Sequence, residues 1–397
     1  MSTIFQDCRV IDGLADAPRE HCDVIVDGER IAAIEPARPR AAGEQQLLPA
    51  AGLTLLPGLI DCHAHYTLDP SADDIFQSVE REREALSILR AAQRARQALE
   101  AGVTTTRDAG APRQLNLVLR DAIAAGLVPG PRLLAPGLAI TITGGHGHRF
   151  GRQADGPVEL QKAVREQMRD GADVIKIISS EAAMLTGAEA GVAEMTQAEI
   201  EVIVQEARRR GLRTFSHAQS ASAVVRSAQA GVNSVEHAFL ADPPAIGVLK
   251  RCGTFLVPTL AVTAVTLERD DISAAYRQRM LDIRELHWAS CEEAIRQGVP
   301  VVTGTDCGVT GVLSTMLWRE IVLVHERGLS AMDAIRAATS RAAALLGVAG
   351  QVGSLQPGKQ ADLILVAGNP LDDLSILKRM ALVMKAGKIY LDQRSPG

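Results

Sequence analysis

The sequence predicts an α/β protein, a (β/α)8 TIM barrel carrying a small β-sandwich domain formed from both chain termini. Three observations predict it. Short strand runs parted by turn pairs occupy both ends of the chain, strand and helix patterns alternate through the middle, and that middle supplies eight strands. Length permits this fold, because 397 residues exceed an ordinary domain and suit one large barrel with additions. Composition agrees: 47% hydrophobic and 22% charged residues is the balance of a compact globule rather than of a disordered chain.

At the amino end, Arg9 to Ile11, Val24 to Val26 and Arg30 to Ile34 are strand runs broken by Asp12-Gly13 and Asp27-Gly28, pairs that favour tight hairpins. At the other end, a turn-rich stretch from Gly353 to Gly358 leads into Ala361 to Val366, Ala381 to Lys385 and Gly387 to Leu391. Neither end alone can bury a good core, so residues 1–52 and 353–397 are expected to form one composite domain, leaving 53–352 for the barrel. A buried apolar strand is expected at Leu53 to Asp61, then one amphipathic helix around Ser78 to Ala101. The alternation continues through strands at Val103 to Arg107, Arg132 to Ala135, Asp173 to Ile178, Arg213 to Ser216, Ser234 to Glu236, Phe255 to Pro258 and Val299 to Gly304. No Gly-x-Gly-x-x-Gly opens a helix, so a dinucleotide-binding sheet lacks support.

Charge excludes other classes. Lys plus Arg number 42 against 47 Asp plus Glu, a net −5, and the cluster Arg208 to Arg210 lies in a helical pattern, so no nucleic-acid partner is expected. Aromatic residues are 3%, and no apolar run reaches the roughly 18 residues of a membrane span, so no membrane partner is expected either. Met1 to Ile11 lacks the pattern of a secretory signal, which makes the cytoplasm the expected compartment. Six cysteines without C-x-x-C spacing read as reduced thiols.

The chemistry gathers at the predicted carboxyl ends of strands, where barrels of this kind keep their catalytic groups. Gly58 to His65 ends in Asp61-Cys62-His63-Ala64-His65. Residues two apart on a strand face the same side, so His63 and His65 converge, either on a metal or as a hydrogen-bonded pair. Asp173 to Ile178 is apolar except for Lys176, whose ammonium is too costly to bury without a partner or a chemical change. An ammonium cannot ligate a metal, whereas a lysine carboxylated by carbon dioxide presents two oxygens. Ser216-His217 and Glu236-His237 each place one imidazole after a strand, and Gly304-Thr305-Asp306 places a carboxylate where a plain helix cap is the alternative. Thr143 to His148, with glycines on both sides of His146, is a loop able to approach a ligand closely.

These residues, in this order, resemble the amidohydrolase superfamily, in particular its binuclear branch of prolidase-like and Xaa-Arg/Lys carboxypeptidase-like enzymes, near imidazolonepropionase-like proteins. The likeness spans nearly the whole chain and includes Gly353 to Leu363. It implies that His63, His65 and Asp306 bind a buried metal, that His217 and His237 bind a more exposed one, and that carboxylated Lys176 bridges the two. Zinc is the expected ion, with manganese or cobalt able to replace it. Two cations lower the pKa of a shared water, and Asp306 then serves as general base and afterwards as general acid toward the leaving amine. His146 is the oxyanion candidate. Gln219 stands where the carboxypeptidase-like members have a tyrosine, and Gln219 and Tyr66 are further candidates for substrate contact. Ser179 to Ala182 replaces a Gly-Gly turn and is expected to alter the pocket rim.

The implied reaction is hydrolysis of an amide bond in a dipeptide or N-acyl amino acid. Alternatives are a non-peptide amide such as an ochratoxin-like N-aroyl amino acid, a cyclic-amide hydrolase or deaminase, and a catalytically silent scaffold. The expected partners are a small-molecule substrate and further copies of the chain in a homo-oligomer.

Overall fold

The computed structural model describes residues 2–40, 45–72, 75–183 and 192–394, apart from the side chains of residues 76 and 77. Both ends of the chain build one sheet of eight strands. Along it lie Lys388–Asp392, Leu382–Lys385, Leu363–Ala367, Leu53–Pro57, Ser2–Val10, Arg19–Asp27 and Arg30–Pro36, with Gln46–Pro49 also paired to Ser2–Val10. Ser2–Val10 is the branching strand. It pairs Gln46–Pro49 at Thr3 to Gln6 and Leu53–Pro57 at Arg9 and Val10, changing register on either side of Cys8. Such bulges bend a strand while it stays paired, so the expected small domain of the two chain ends is built from strands joined in one hydrogen-bonded sheet.

Its two faces follow the period of a strand. Leu55, Leu363 and Leu365 pack with Phe5, Val24 and Leu382 in the small core of this domain. The alternate residues Leu56, Ile364 and Val366 belong to the main core beneath the barrel. One predicted strand is therefore two: Leu53–Pro57 lies in the terminal sheet, and the barrel begins with Leu59–Ala64. Gly58 is the joint, where a Cβ would stand 2.2 Å from Thr104 Oγ1, and its N–H donates to Asp362 O at 2.9 Å. The helix expected around Ser78 to Ala101 is likewise two, Ile75–Arg81 and Glu84–Glu100, parted at Arg83, whose backbone is extended.

Eight parallel segments close the barrel. Leu59–Ala64, Val103–Asp108 and Arg132–Leu134 pair in turn, as do Val174–Ile178, Arg213–Ser220, Ser234–Leu240 and Phe255–Val257. Asp173 N–H donates to Ala135 O at 2.9 Å across the seam between the third and fourth strands. Residues 301–306 form the eighth, with Val301 bridged to Leu256, and Cys62 N–H donating to Thr303 O at 3.0 Å. Among the described residues, no helix is long and apolar enough to cross a membrane.

The turn after the eighth strand is tight. Gly308 has φ +100°, and a Cβ there would lie 2.2 Å from His65 O, a backbone atom that cannot step aside. Gly308→Ala is expected to cost about 2 kcal/mol or more; a denaturation midpoint equal to wild type would contradict this account of the turn.

Candidate metal centre

The strands deliver six side chains to one cavity. His63 and His65 come from the first strand, Lys176 from the fourth, His217 from the fifth, His237 from the sixth and Asp306 from the end of the eighth, and all line a cavity of about 600 Å³. Ligand atoms of His63, His237 and Asp306 lie within 4.8 Å of one another. The Nε2 atoms of His63 and His65 are 3.4 and 3.5 Å from Asp306 Oδ1. The rings of His217 and His237 are 4.6 Å apart.

Second partners fix which nitrogen carries the proton in three of the four rings. His65 Nδ1 is 2.9 Å from Gly110 O, a group that only accepts, so Nδ1 carries the proton and Nε2 keeps its lone pair. His63 Nδ1 meets Glu236 Oε2 at 2.7 Å with the same result. His237 Nδ1 is 2.8 Å from Thr259 Oγ1, whose own hydrogen goes to Pro258 O at 2.6 Å, so this hydroxyl accepts from the ring. Burial lowers the pKa of all four cluster imidazoles, reinforced by the charge of Lys176, and takes His65 to about 3. Neutral rings beside a carboxylate are a donor set suited to a divalent cation.

Lys176 is 3% exposed, has no hydrogen-bond acceptor among the described residues, and holds its ammonium 4.9 Å from the Phe215 ring centroid. Burial lowers it to about 8, while Glu236 and Asp306 oppose that shift. Burial pushes Asp306 up to about 7, against the pull of Lys176.

Supporting groups hold this cluster. Asp61 accepts from Thr305 Oγ1 at 2.6 Å, from Thr305 N–H at 3.0 Å and from His63 N–H at 3.1 Å, locking the first strand to the eighth. Glu236 is bound on its other oxygen by Arg107 Nη2 at 2.9 Å. Arg107, the largest fully buried side chain, also donates to Cys62 O at 2.7 Å and covers the Phe215 ring. Glu320 accepts the N–H groups of Leu260 and Ala261 at 3.0 and 2.8 Å, fixing the turn that carries Thr259. His237, Ala238, Thr259 and Asp306 all have positive φ, between 50° and 73°. Non-glycine residues adopt that region seldom, and the surrounding packing sustains it here.

The other candidates divide. His146 lines the cavity and stacks on His217 at 4.6 Å. Its loop is clamped by Glu194, which accepts the His146 N–H at 2.9 Å, and by Thr141, which donates to His146 O at 2.9 Å. Gln219 also lines the cavity, with Oε1 accepting from Ala183 N–H at 2.6 Å. Tyr66 is a correction: it is 1% exposed, does not line the cavity, and its hydroxyl pairs with Thr106 Oγ1 at 2.9 Å. Tyr66 lies in the turn that follows the strand Leu59–Ala64, where the chain carries its ring into the core. Ser179 and Ser180 are a second correction, since both are fully buried and tie the fourth strand to the fifth, leaving Ala182 to face the cavity.

Sequence reasoning missed the roles of Glu236, Arg107, Asp61 and Thr259. Glu236 had a usable signal, an ionisable residue beside Val235 in a buried strand, akin to the one that singled out Lys176; Arg107, in the threonine-rich strand Val103–Asp108, had none.

The Amidohydrolase family model matches residues 54–390. The chain is 29% identical to an ochratoxinase of Aspergillus niger over 374 residues, covering 86% of this chain and 76% of that protein. It is 26% identical to an imidazolonepropionase of Rhizorhabdus wittichii, covering 79% of each. Among solved structures, a Xaa-Pro dipeptidase with bound methionine superposes with a TM-score of 0.89 at 30% identity, covering 98% of this chain and 100% of that one.

Proposed function

The chain belongs to the amidohydrolase family and is a hydrolase of carbon–nitrogen bonds, and from that premise we propose that it cleaves the amide bond of an N-acyl amino acid or dipeptide. The observation that carries this reading is the meeting of four neutral imidazoles, Asp306 and an unpaired buried Lys176 in one cavity. The family generally works through a metal centre. Here His63, His65 and Asp306 would hold the inner divalent ion, His217 and His237 the outer one, and carboxylated Lys176 would span both, with zinc suited to such N/O ligands. An amine lowered to about 8 is partly neutral near physiological pH. Its nitrogen can then bond to carbon dioxide with loss of one proton.

Bound divalent ions supply a water acidic enough to attack near neutral pH and a Lewis acid for the carbonyl. Asp306 takes the proton released as the carbon–oxygen bond forms and gives it to the amide nitrogen as the carbon–nitrogen bond breaks. Burial lowers His146 to about 4, so its neutral ring can donate an N–H to the oxyanion from a clamped loop.

A second reading keeps this chemistry and changes the acyl group to an aromatic one. It is supported by the similarity to ochratoxinase and by Phe150 and Phe239 in the cavity wall. A cyclic-amide hydrolase or deaminase with one metal would leave Lys176 without a role, and a silent scaffold would leave the six converging side chains without one.

The test is metal content per subunit on bicarbonate-supplied protein, read beside hydrolysis of dipeptides, N-acyl and N-aroyl amino acids. Two metals and turnover that chelation abolishes and zinc restores are expected. One metal with no amide cleavage would reject the reading.

A further inference from the structure

The long helix Ala274–Gln297 carries one buried stripe, Met280, Ile283, His287, Ser290, Cys291 and Ala294. An imidazole in the middle of such a stripe is a costly filler, because both of its nitrogens need partners once water is excluded. His287 is 0% exposed, and both nitrogens have them. Nε2 is 2.7 Å from Pro258 O, which only accepts, so Nε2 carries the proton. Nδ1 is 3.2 Å from Thr263 Oγ1. Burial lowers the ring to about 3, so it is neutral and Nδ1 accepts from that hydroxyl.

The carbonyl that His287 holds precedes Thr259, a residue of φ +55°. The Thr259 hydroxyl donates to the same Pro258 O at 2.6 Å and meets His237 Nδ1 at 2.8 Å. Its one hydrogen is committed, so toward His237 it can only accept, which keeps the His237 proton on Nδ1 and a lone pair on Nε2. Three residues along the helix, Ser290 Oγ donates to Ala238 O at 2.8 Å. One helix face thus holds two left-handed turns, the one beside His237 and the one that carries its hydrogen-bond partner. The His287 ring also lies 4.0 Å from that of Phe239. A phenylalanine at 287 would keep this ring contact and leave Pro258 O to Thr259 alone.

We propose that His287 is a positioning residue for the outer metal site, acting on His237 through Pro258 O and Thr259. This rests on the reading of His217 and His237 as ligands of the outer ion. The imidazoles assigned to the inner ion are held by separate partners, Glu236 on His63 and Gly110 O on His65, so His287 bears on one ion and spares the other.

Two variants divide the donor from the ring: His287→Phe keeps the ring and loses the N–H, and His287→Gln keeps an amide N–H and loses the ring. Metal-free protein supplied with bicarbonate is titrated with cobalt(II) and followed by visible absorption. His287→Phe is expected to weaken one of two bound ions about tenfold and to leave the other within about threefold, while His287→Gln stays within about threefold of wild type for both. A His287→Phe titration equal to wild type, equal weakening of both ions, or the same loss in His287→Gln would overturn the proposal. Histidine nitrogen NMR of the metal-free protein reads the same chain of hydrogen bonds without metal or turnover. Wild type should show His287 protonated on Nε2 and His237 on Nδ1, and His287→Phe should give mixed forms at His237. The opposite form at either wild-type ring, a reading that stands even where the variant does not fold, or an unchanged His237 in the variant, would overturn it as well. If wild type takes up fewer than two ions, the binuclear reading fails, and the His237 proton position alone decides whether His287 acts on that ring.

Discussion

Asp306→Asn is expected to lower kcat about a thousandfold, within the range attributed to positioned general acids and bases, while most of the metal stays bound. The physical case rests on position. Asp306 Oδ1 lies 3.4 and 3.5 Å from two imidazole nitrogens, and the strained φ of 58° at its backbone aims the carboxyl into the cavity. Burial raises its affinity for a proton to near neutrality, which suits a group that must take a proton and return it. Asparagine keeps the shape and a carbonyl oxygen able to ligate, and loses only the capacity to shuttle the proton. The assignment is checked by measuring metal content and kcat on the same preparation. Activity within tenfold of wild type would refute the role; loss of metal in parallel with activity would reassign Asp306 to ligation alone.

Lys176→Ala should be equally damaging by a different route, with fewer metal ions per subunit and turnover lower by three orders of magnitude or more. On the proposed reading, loss of the anionic bridge would leave two cations to repel each other across neutral imidazoles. The wild-type chain, prepared with bicarbonate and examined by gentle mass spectrometry, should carry the added mass of one carbon dioxide that the variant lacks. Full metal content and turnover within a few-fold of wild type in Lys176→Ala would sink the bridging role. The two variants separate cleanly, since one is expected to spare metal and the other to lose it.

The correction at Tyr66 illustrates what strand alternation can and cannot deliver. The rule groups His63 with His65, but the strand ends at Ala64 and Tyr66 stands in the following turn, where its hydroxyl meets Thr106. Glu236 was legible in the same manner as Lys176, as an ionisable group within an apolar strand. Its pairing with Arg107 and with His63 was not, because they lie 129 and 173 residues away.

The sequence by itself determined the alternation of strand and helix, the association of the two chain ends in one sheet, and the residues placed at strand ends. These are local facts: apolar runs, turn pairs and a ligand one or two residues past a strand depend on neighbours a few positions away. Tertiary structure alone decided that Leu53–Pro57 belongs to the terminal sheet and that Asp61 locks to Thr305 across 244 residues. Each follows from closure of the barrel, which brings distant strand ends into hydrogen-bonding distance and leaves their side chains only the partners that the ring supplies.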